Sequence, residues 1–576
     1  MNALVVNPPG TQARLPGAIV PVLVEATRSY LAHTGPDGRI RIHPGKHLKR
    51  DWYGLGAPAL LYARELTGNP FRGDPRLRAL LERAGRTLVA DFADPRKTSL
   101  EGLWFEGSRP HEWILEAWLQ AYELLTEAGE KDLVAEWIPT FLRCGEVYSR
   151  YCSQAAGLRR MTSPNLKIST NHFAFFAAIL VRIGKLFGVQ EHVDLGLDVA
   201  RRIAAHQHPD GYWAETHGPT TSYNFVTLDA LALVEEFTGQ DVFDAQVRRA
   251  LGFHIDWTWP DATCVETIDQ RVRWRREAHL NAIYAFSRWP EGRWLAEWYF
   301  ANGGLDAGGA LEGGAVSSLV TAFLYYRSGP ISPPPAARAE HVAKLSDLPA
   351  GLAKLDPWVA ALSGIPSRPR PHANTLDRQN LLGVWHRDCG LIVGGGNNRN
   401  SPRTATFWAR VMRDPHSPAG DGVEADDAYV PVAAECRMGR DGGTLDLEYW
   451  GFDASLEVRF ADATTCRVTA AASALPKDTE VLFNPNFMVA PGEPVVTGAG
   501  EKLDTSSDAR PWERSGKELG GSFGQGRWRA QVPAEAVLRF PMTPYAPEGS
   551  LKKPEPVAVL SVPVGNRSIV LTLKIS

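Results

Sequence analysis

Cysteine is scarce in this 576-residue chain, and the six that occur, Cys144, Cys152, Cys264, Cys389, Cys436 and Cys466, form no CxxC and no tight Cys/His spacing. That scatter argues against a disulfide framework or a cysteine metal site, so buried free thiols are expected. An excess of one charge is missing too. With 62 basic against 65 acidic residues the formal charge is −3, which supplies no global field for nucleic acid or an anionic membrane. Any polyanionic partner must be gripped by a local cluster. No apolar run reaches bilayer-spanning length, and the opening MNALVVNPPGTQARLPG lacks both a basic n-region and an apolar h-region. The expectation is a cytoplasmic chain, or a periplasmic or secreted one if a signal has been removed.

What is present is helical periodicity followed by strand periodicity. Apolar spacing over residues 16–327 predicts helices near 16–34, 52–67, 75–92, 110–127, 130–152, 170–187, 190–207, 222–238, 241–257, 276–288, 291–301 and 311–327. Four of them end alike, in LYARELTGN, YELLTEAGE, IGKLFGVQ and LVEEFTGQ, which places Gly68, Gly129, Gly188 and Gly239 at helix C-termini about 50 to 60 residues apart. A repeated pair of helices with a common stop signal is how a closed ring of hairpins is written. The stretch HQHPDGYWAET, residues 206–216, reads as a turn between two of them.

Past about residue 373 the pattern turns to period two. The segments 444–470 and 556–576 alternate apolar and polar residues around turns such as Asp441-Gly442-Gly443 and Gly565-Asn566. The fold class expected is therefore multidomain α and β. Residues 1–328 make an (α/α) toroid of about six hairpins, 329–372 a proline-rich linker with short helices, and 373–576 an antiparallel β-sandwich.

In a helical ring the cleft lies where the inner-helix N-termini and their loops converge. Ser169-Thr170-Asn171-His172 opens the apolar helix FAFFAAILV, and Thr220-Thr221-Ser222-Tyr223-Asn224 opens FVTLDALALV at an equivalent point of the next repeat. Capping accounts for one hydroxyl or amide at each start, and His172 and Tyr223 then merely pack nearby. One cap needs only one side chain, however, so an amide, an imidazole and a phenol at matched places ask for a further reason.

These three groups suit one reaction. Removing the C5 proton of a uronate is hard because the ionised carboxylate beside it resists further negative charge, so that carboxylate must be neutralised or hydrogen-bonded. A base at C5 and an acid for the departing glycosidic oxygen are also required. Asn171 can serve the carboxylate, and His172 is a partner base. Tyr223 is an acid, and also a base if cations lower its pKa.

In these residues the chain resembles the toroid-plus-sandwich polysaccharide lyases, heparinase II/III-like enzymes and, for the ring, the alginate lyases. There an Asn or Asn-His pair opens one inner helix and a catalytic Tyr follows some 50 to 55 residues later. Asn171-His172 precedes Tyr223 by just over 50. The resemblance implies Tyr223 as proton donor or donor and acceptor both, Asn171 on the carboxylate and His172 as base or its neutraliser. It also implies that a sandwich histidine completes the cleft, His386 or His416.

Further substrate contacts are expected from Trp104, Arg109 and His111 ahead of one inner helix, and from Trp213, Glu215 and His217 in the loop leading to Tyr223. Arg271, in a guanidinium-dense run, is another candidate. The partner is an acidic polysaccharide or oligosaccharide. No cofactor or metal is called for, and oligomeric state is not indicated. Two alternatives stay open. One is a toroid glycoside hydrolase acting on uronide oligosaccharides, which needs paired carboxyl groups from Asp51, Glu112, Asp210, Glu215 and Asp229. The other is a non-catalytic glycan-binding protein.

Overall fold

The computed structural model describes residues 15–43, 49–93, 104–105, 109–154, 170–214, 218–269, 278–302, 311, 313–366, 378–394, 396–397, 402–410, 427–475, 477, 479–542, 557–565 and 567–576. Six helices form a closed inner cycle, each packed on the next: Gly56–Ala63, Glu112–Glu127, Thr170–Phe187, Thr221–Thr238, Ile283–Phe286 and Gly313–Tyr325, the last touching the first. Around them lie Leu15–His33, Pro75–Ala93, Ile138–Ser153, Gln190–Ala205, Asp244–Asp256 and Pro290–Ala301. The division follows from composition. Thr170–Phe187 is buried almost throughout, from Phe173 to Gly184, whereas Gln190–Ala205 buries one stripe.

The repeated stop signal holds at three of its four places: Gly129, Gly188 and Gly239, with φ of 89°, 74° and 67°, follow helix ends in the left-handed conformation in which a β-carbon is strained. Gly68 is corrected: its φ of 82° belongs to a separate turn, because the helix expected over 52–67 already ends at Ala63, where Arg64 turns extended. The helix expected over 276–288 is corrected to a single turn, Ile283–Phe286, entered through Ala282 at φ 58°. The one over 130–152 divides into Lys131–Ala135 and Ile138–Ser153, with Trp137 and Pro139 at the junction. No helix among the described residues is long and apolar enough to cross a membrane. The six cysteines are thiols, joined in no disulfide.

After Tyr325 the chain builds two antiparallel sheets. The larger runs, in spatial order, through Asp427–Ala428, Phe407–Arg410, Val481–Phe483, Val557–Pro563, Asn486–Met488, Gly390–Gly394, Leu382–His386, Trp358–Ser363, Ala350–Leu355 and Glu340–Lys344. The second begins Ala433–Gly439, Gly442–Tyr449, Phe452–Asp462, Thr465–Ser473 and Ile569–Ile575. Phe452, Ala454, Leu456, Val458 and Phe460 alternate inward along one strand and meet Val384, Phe487 and Leu560 from the facing sheet. Short helices expected between 329 and 372 are replaced by the strands Glu340–Lys344, Ala350–Leu355 and Trp358–Ser363. Runs of five or six residues do not separate period two from period 3.6, and Pro349 and Pro357 would interrupt any helix there.

The ring docks on the larger sheet through a loop, residues 257–269, that leaves the C-terminal end of Asp244–Asp256. Trp257, Trp259, Val265 and Ile268 are buried against Leu352, Val359, Ala361 and Trp385 of the sheet. Each fully buried side chain of this size contributes roughly 2–3 kcal/mol. A β-carbon on Gly383 would lie 2.8 Å from the Trp259 ring, so this strand position must be glycine for the indole to lie on it. Polar pairs flank the apolar contact. His341 Nε2 lies 2.9 Å from Asp256, His208 Nε2 lies 2.9 Å from Asp347, and Asp210 accepts a 2.8 Å bond from the Ser346 amide. The turn read at 206–216 is present over its described residues, 206–214, and its His208 and Asp210 fasten the ring to the sandwich.

Candidate active site

Three inner helices open at one end of the ring. Glu112, first in its helix, contacts His172, third in the next, and ten residues further along Arg182 pairs with Glu123, so the two helices run parallel with a near-constant offset. Arg182 also lies over the Phe237 ring, 4.7 Å from its centroid, which sets the register of Thr221–Thr238 beside Thr170–Phe187. His172 and Tyr223 are each third in their helix, so both stand in a first turn. Parallel N-termini also place the positive ends of three backbone dipoles around one opening, which favours an anionic group there.

The His172 imidazole is oriented by Glu112. The Glu112 carboxylate is fully buried and accepts from Nδ1–H, so the lone pair of the neutral ring resides on Nε2. A chain of rings leads away from this imidazole through Trp113. Trp113 lies 5.4 Å from it by centroid, His111 and Phe175 lie 5.3 and 5.8 Å from Trp113, and Tyr53 lies 5.5 Å from His111. The Tyr53 hydroxyl is 3.3 Å from His111 Nε2. Asn171, beside His172, is completely buried.

Tyr223 is half-buried in the first turn of its helix, and the groups around that turn are held tightly. Asp269 Oδ2 accepts from both the amide and the hydroxyl of Thr221, at 2.6 and 2.7 Å. One residue past the phenol, Asn224 Oδ1 accepts from the Trp213 amide at 3.1 Å, which directs its Nδ2–H toward His254 Nε2 at 3.0 Å. Burial, and then the neighbouring His279, hold the His254 pKa well below the usual imidazole range, so the ring stays neutral and accepts.

Deeper in the ring sits a charged cluster. Buried Arg182 bridges Glu116 and Glu123; burial alone would weaken its charge, and the two carboxylates more than offset that. Asp229 is buried nearby, and desolvation, with the Glu116 charge adding to it, pushes its carboxyl up to about 7.

The other expected contacts fare unevenly. His111 lies in the ring cluster beside His172. Trp213 is 3 % exposed and its indole N–H donates to the Ile203 carbonyl, so it packs its loop and offers no face to a sugar. His386 is corrected as well. It is 2 % exposed, its Nε2 faces the Ala463 carbonyl and its Nδ1 accepts from the Asp388 amide, all within the sandwich. Burial lowers its pKa. Glu215, His217, Arg271 and His416 lie outside the described residues, and for Trp104 and Arg109 only the backbone is described, a two-residue ladder ahead of Glu112. Sequence reasoning missed Tyr53, the orienting role of Glu112 and the bond from Asp269, all of which join segments remote in the chain. Among the described residues one group has metal-ligand composition, His208, Asp210 and Asp347, and it belongs to the docking contact described above.

Comparison with known proteins agrees with this architecture. A chondroitin AC lyase from Streptomyces coelicolor A3 superposes with a TM-score of 0.52 at 12 % identity, over 97 % of this chain and 79 % of that one. The fold is that of the toroid-plus-sandwich lyases. Heparinase III matches with a TM-score of 0.51 at 10 % identity, over 100 % of this chain and 86 % of its own. The chondroitin lyase that is a baculovirus envelope protein matches with a TM-score of 0.50 at 10 % identity, over 98 % and 84 %. No protein-family model and no curated protein matches the chain.

Proposed function

We propose that this protein is a polysaccharide lyase that cleaves a uronic-acid glycan by β-elimination, leaving a 4,5-unsaturated uronate at the new non-reducing end. The observation that carries the proposal is the Glu112–His172 contact in the first turns of two adjoining inner helices, with Tyr223 in the first turn of the next. In this reading the sugar carboxylate lies at the helix N-termini, where the dipoles tolerate the charge that develops when C5 loses its proton, and Asn171, completely buried, lies behind that surface. His172 Nε2, aimed by Glu112, takes that proton. The Tyr223 hydroxyl donates to the glycosidic oxygen as the C4–O bond breaks, and a second proton transfer through solvent resets both groups. That the structural neighbours are lyases supports the reaction class.

The test is incubation with chondroitin sulfate, heparan sulfate and alginate, with detection by ultraviolet absorbance for the conjugated C4–C5 double bond and by product mass. Elimination adds no water, so the product masses sum to that of the substrate. Products that together weigh one water more, with no new absorbance, would establish hydrolysis instead. Tyr223→Phe should keep substrate affinity and lose about 10²- to 10⁴-fold in kcat.

A further inference from the structure

We infer that Asp269 is a positioning residue for Tyr223, and that the sandwich acts on the active site through it; the inference rests on the catalytic role proposed for that phenol. Thr220, at the N-cap position of Thr221–Thr238, makes no side-chain cap bond. The bonds to this helix start come from another segment, since Asp269, 1 % exposed, accepts from the Thr221 amide and hydroxyl through one oxygen. A carboxylate at that place satisfies an amide that the helix cannot, and fixes the turn in which Tyr223 stands two residues later.

Asp269 is itself fixed by the loop wedged under the ring. Its amide donates to the Glu266 carbonyl at 3.0 Å, and the Glu266 carboxylate accepts from Trp259 Nε1 at 2.8 Å. Trp259 lies on Gly383 of the sheet. A second attachment runs from Trp385 Nε1 to Asp261 Oδ2 at 3.2 Å, while Asp261 Oδ1 accepts from the Thr263 amide and hydroxyl. The Asp261 carboxyl is held above its usual pKa by burial, with Thr263 opposing. Every residue from Trp257 to Asp269 except Pro260 and Cys264 is buried, so the loop cannot yield to solvent when the sheet beneath it changes shape. Gly383 and Trp385 therefore bear on the position of a phenol that lies beyond the loop.

The experiment measures two things on the full chain: kcat and KM on chondroitin sulfate, heparan sulfate and alginate, and amide hydrogen exchange at residues 221–224. Asp269→Ala should lower kcat by about a hundred-fold with KM within about two-fold, the size expected when a reacting group shifts by about 1 Å. Exchange at 221–224 should quicken at least about ten-fold. Thr221→Ser should behave as the parent and Thr221→Val should fall between, which keeps the test open if Asp269→Ala does not fold. Trp385→Phe and Gly383→Ala should lower kcat several-fold and quicken exchange at 221–224 in step. Unchanged exchange there, with unchanged kcat per folded molecule in Asp269→Ala or Thr221→Val, overturns the inference. Absence of activity in the parent on every polymer would instead count against the lyase reading, and the exchange measurement would still decide whether Asp269 holds the helix start.

Discussion

Replacing Asp229 by asparagine should make the protein more stable in mild alkali and leave it unchanged below about pH 4. The carboxyl is buried in the ring near Glu116, and its pKa is pushed up to about 7 from the ordinary 3.8. Since the native state then binds the proton more tightly than the unfolded chain, stability is highest below the unfolded pKa. It falls as pH rises from about 4 to about 7, and is flat beyond. Each pH decade in that interval is worth about 1.4 kcal/mol, so ionised Asp229 costs the fold on the order of 4 kcal/mol, less whatever the surroundings recover by relaxing. Asparagine keeps the shape, and the backbone carbonyl at 229 still accepts from the Tyr284 hydroxyl. Differential scanning calorimetry of parent and variant at about pH 3.5, below the unfolded pKa, and at about pH 8.5 reads the difference. The Tm gap should open from near zero to several degrees in favour of the asparagine variant. A variant destabilised equally at both pH values would refute the reasoning, since it would mean that the carboxylate is ionised and paired in the native state.

Other perturbations act on the contacts of the ring. Glu112→Gln should present its amide to His172 Nδ1, shift the proton to Nε2 and lower kcat by about 10²- to 10⁴-fold with little change in KM, read from the pH–rate profile and ultraviolet product. Arg182→Ala leaves the buried Glu116 and the partly exposed Glu123 without their counterion and should destabilise the ring by about 3 kcal/mol in denaturant unfolding. Gly85→Ala should destabilise by about 1–3 kcal/mol in the same assay, because the new β-carbon would collide with the Trp137 indole.

Much of the fold is legible in the sequence because helical repeats repeat their punctuation. Gly129, Gly188 and Gly239 are visible in the sequence as stop signals and in the structure as left-handed residues at helix ends, and together they locate the hairpins, whereas Gly68 turns the chain five residues after its helix has ended. Asn171, His172 and Tyr223, the site proposed here, draw notice for a related reason, since polar residues opening apolar helices at equivalent points stand out against their surroundings. The illegible part depends on contacts between remote segments. Glu112 lies 60 residues from His172, Asp269 lies 48 from Thr221, and Trp385 lies 124 from Asp261. Tryptophan misleads in the opposite direction. Trp213 and Trp385 carry indoles that could serve as sugar platforms, yet burial of so large a ring is favourable wherever there is room, and both are core.

The carboxylates bear on the choice between elimination and hydrolysis. Inverting or retaining hydrolysis needs two carboxyl groups facing one bond across the substrate. Asp51 is 1 % exposed and accepts from the amides of Ile42 and His43 and from the His43 ring. Asp210 faces Ser346 across the docking contact, and Asp229 lies within the packed ring with Glu116. Glu112, which opens its helix at the mouth, is turned onto His172. Among the described residues, then, the acids that a hydrolase would use are directed at protein groups. The groups proposed here for chemistry, the His172 imidazole and the Tyr223 phenol, can move a proton at carbon and at oxygen without a second acid. That division of labour favours a reaction in which the carboxylate belongs to the substrate.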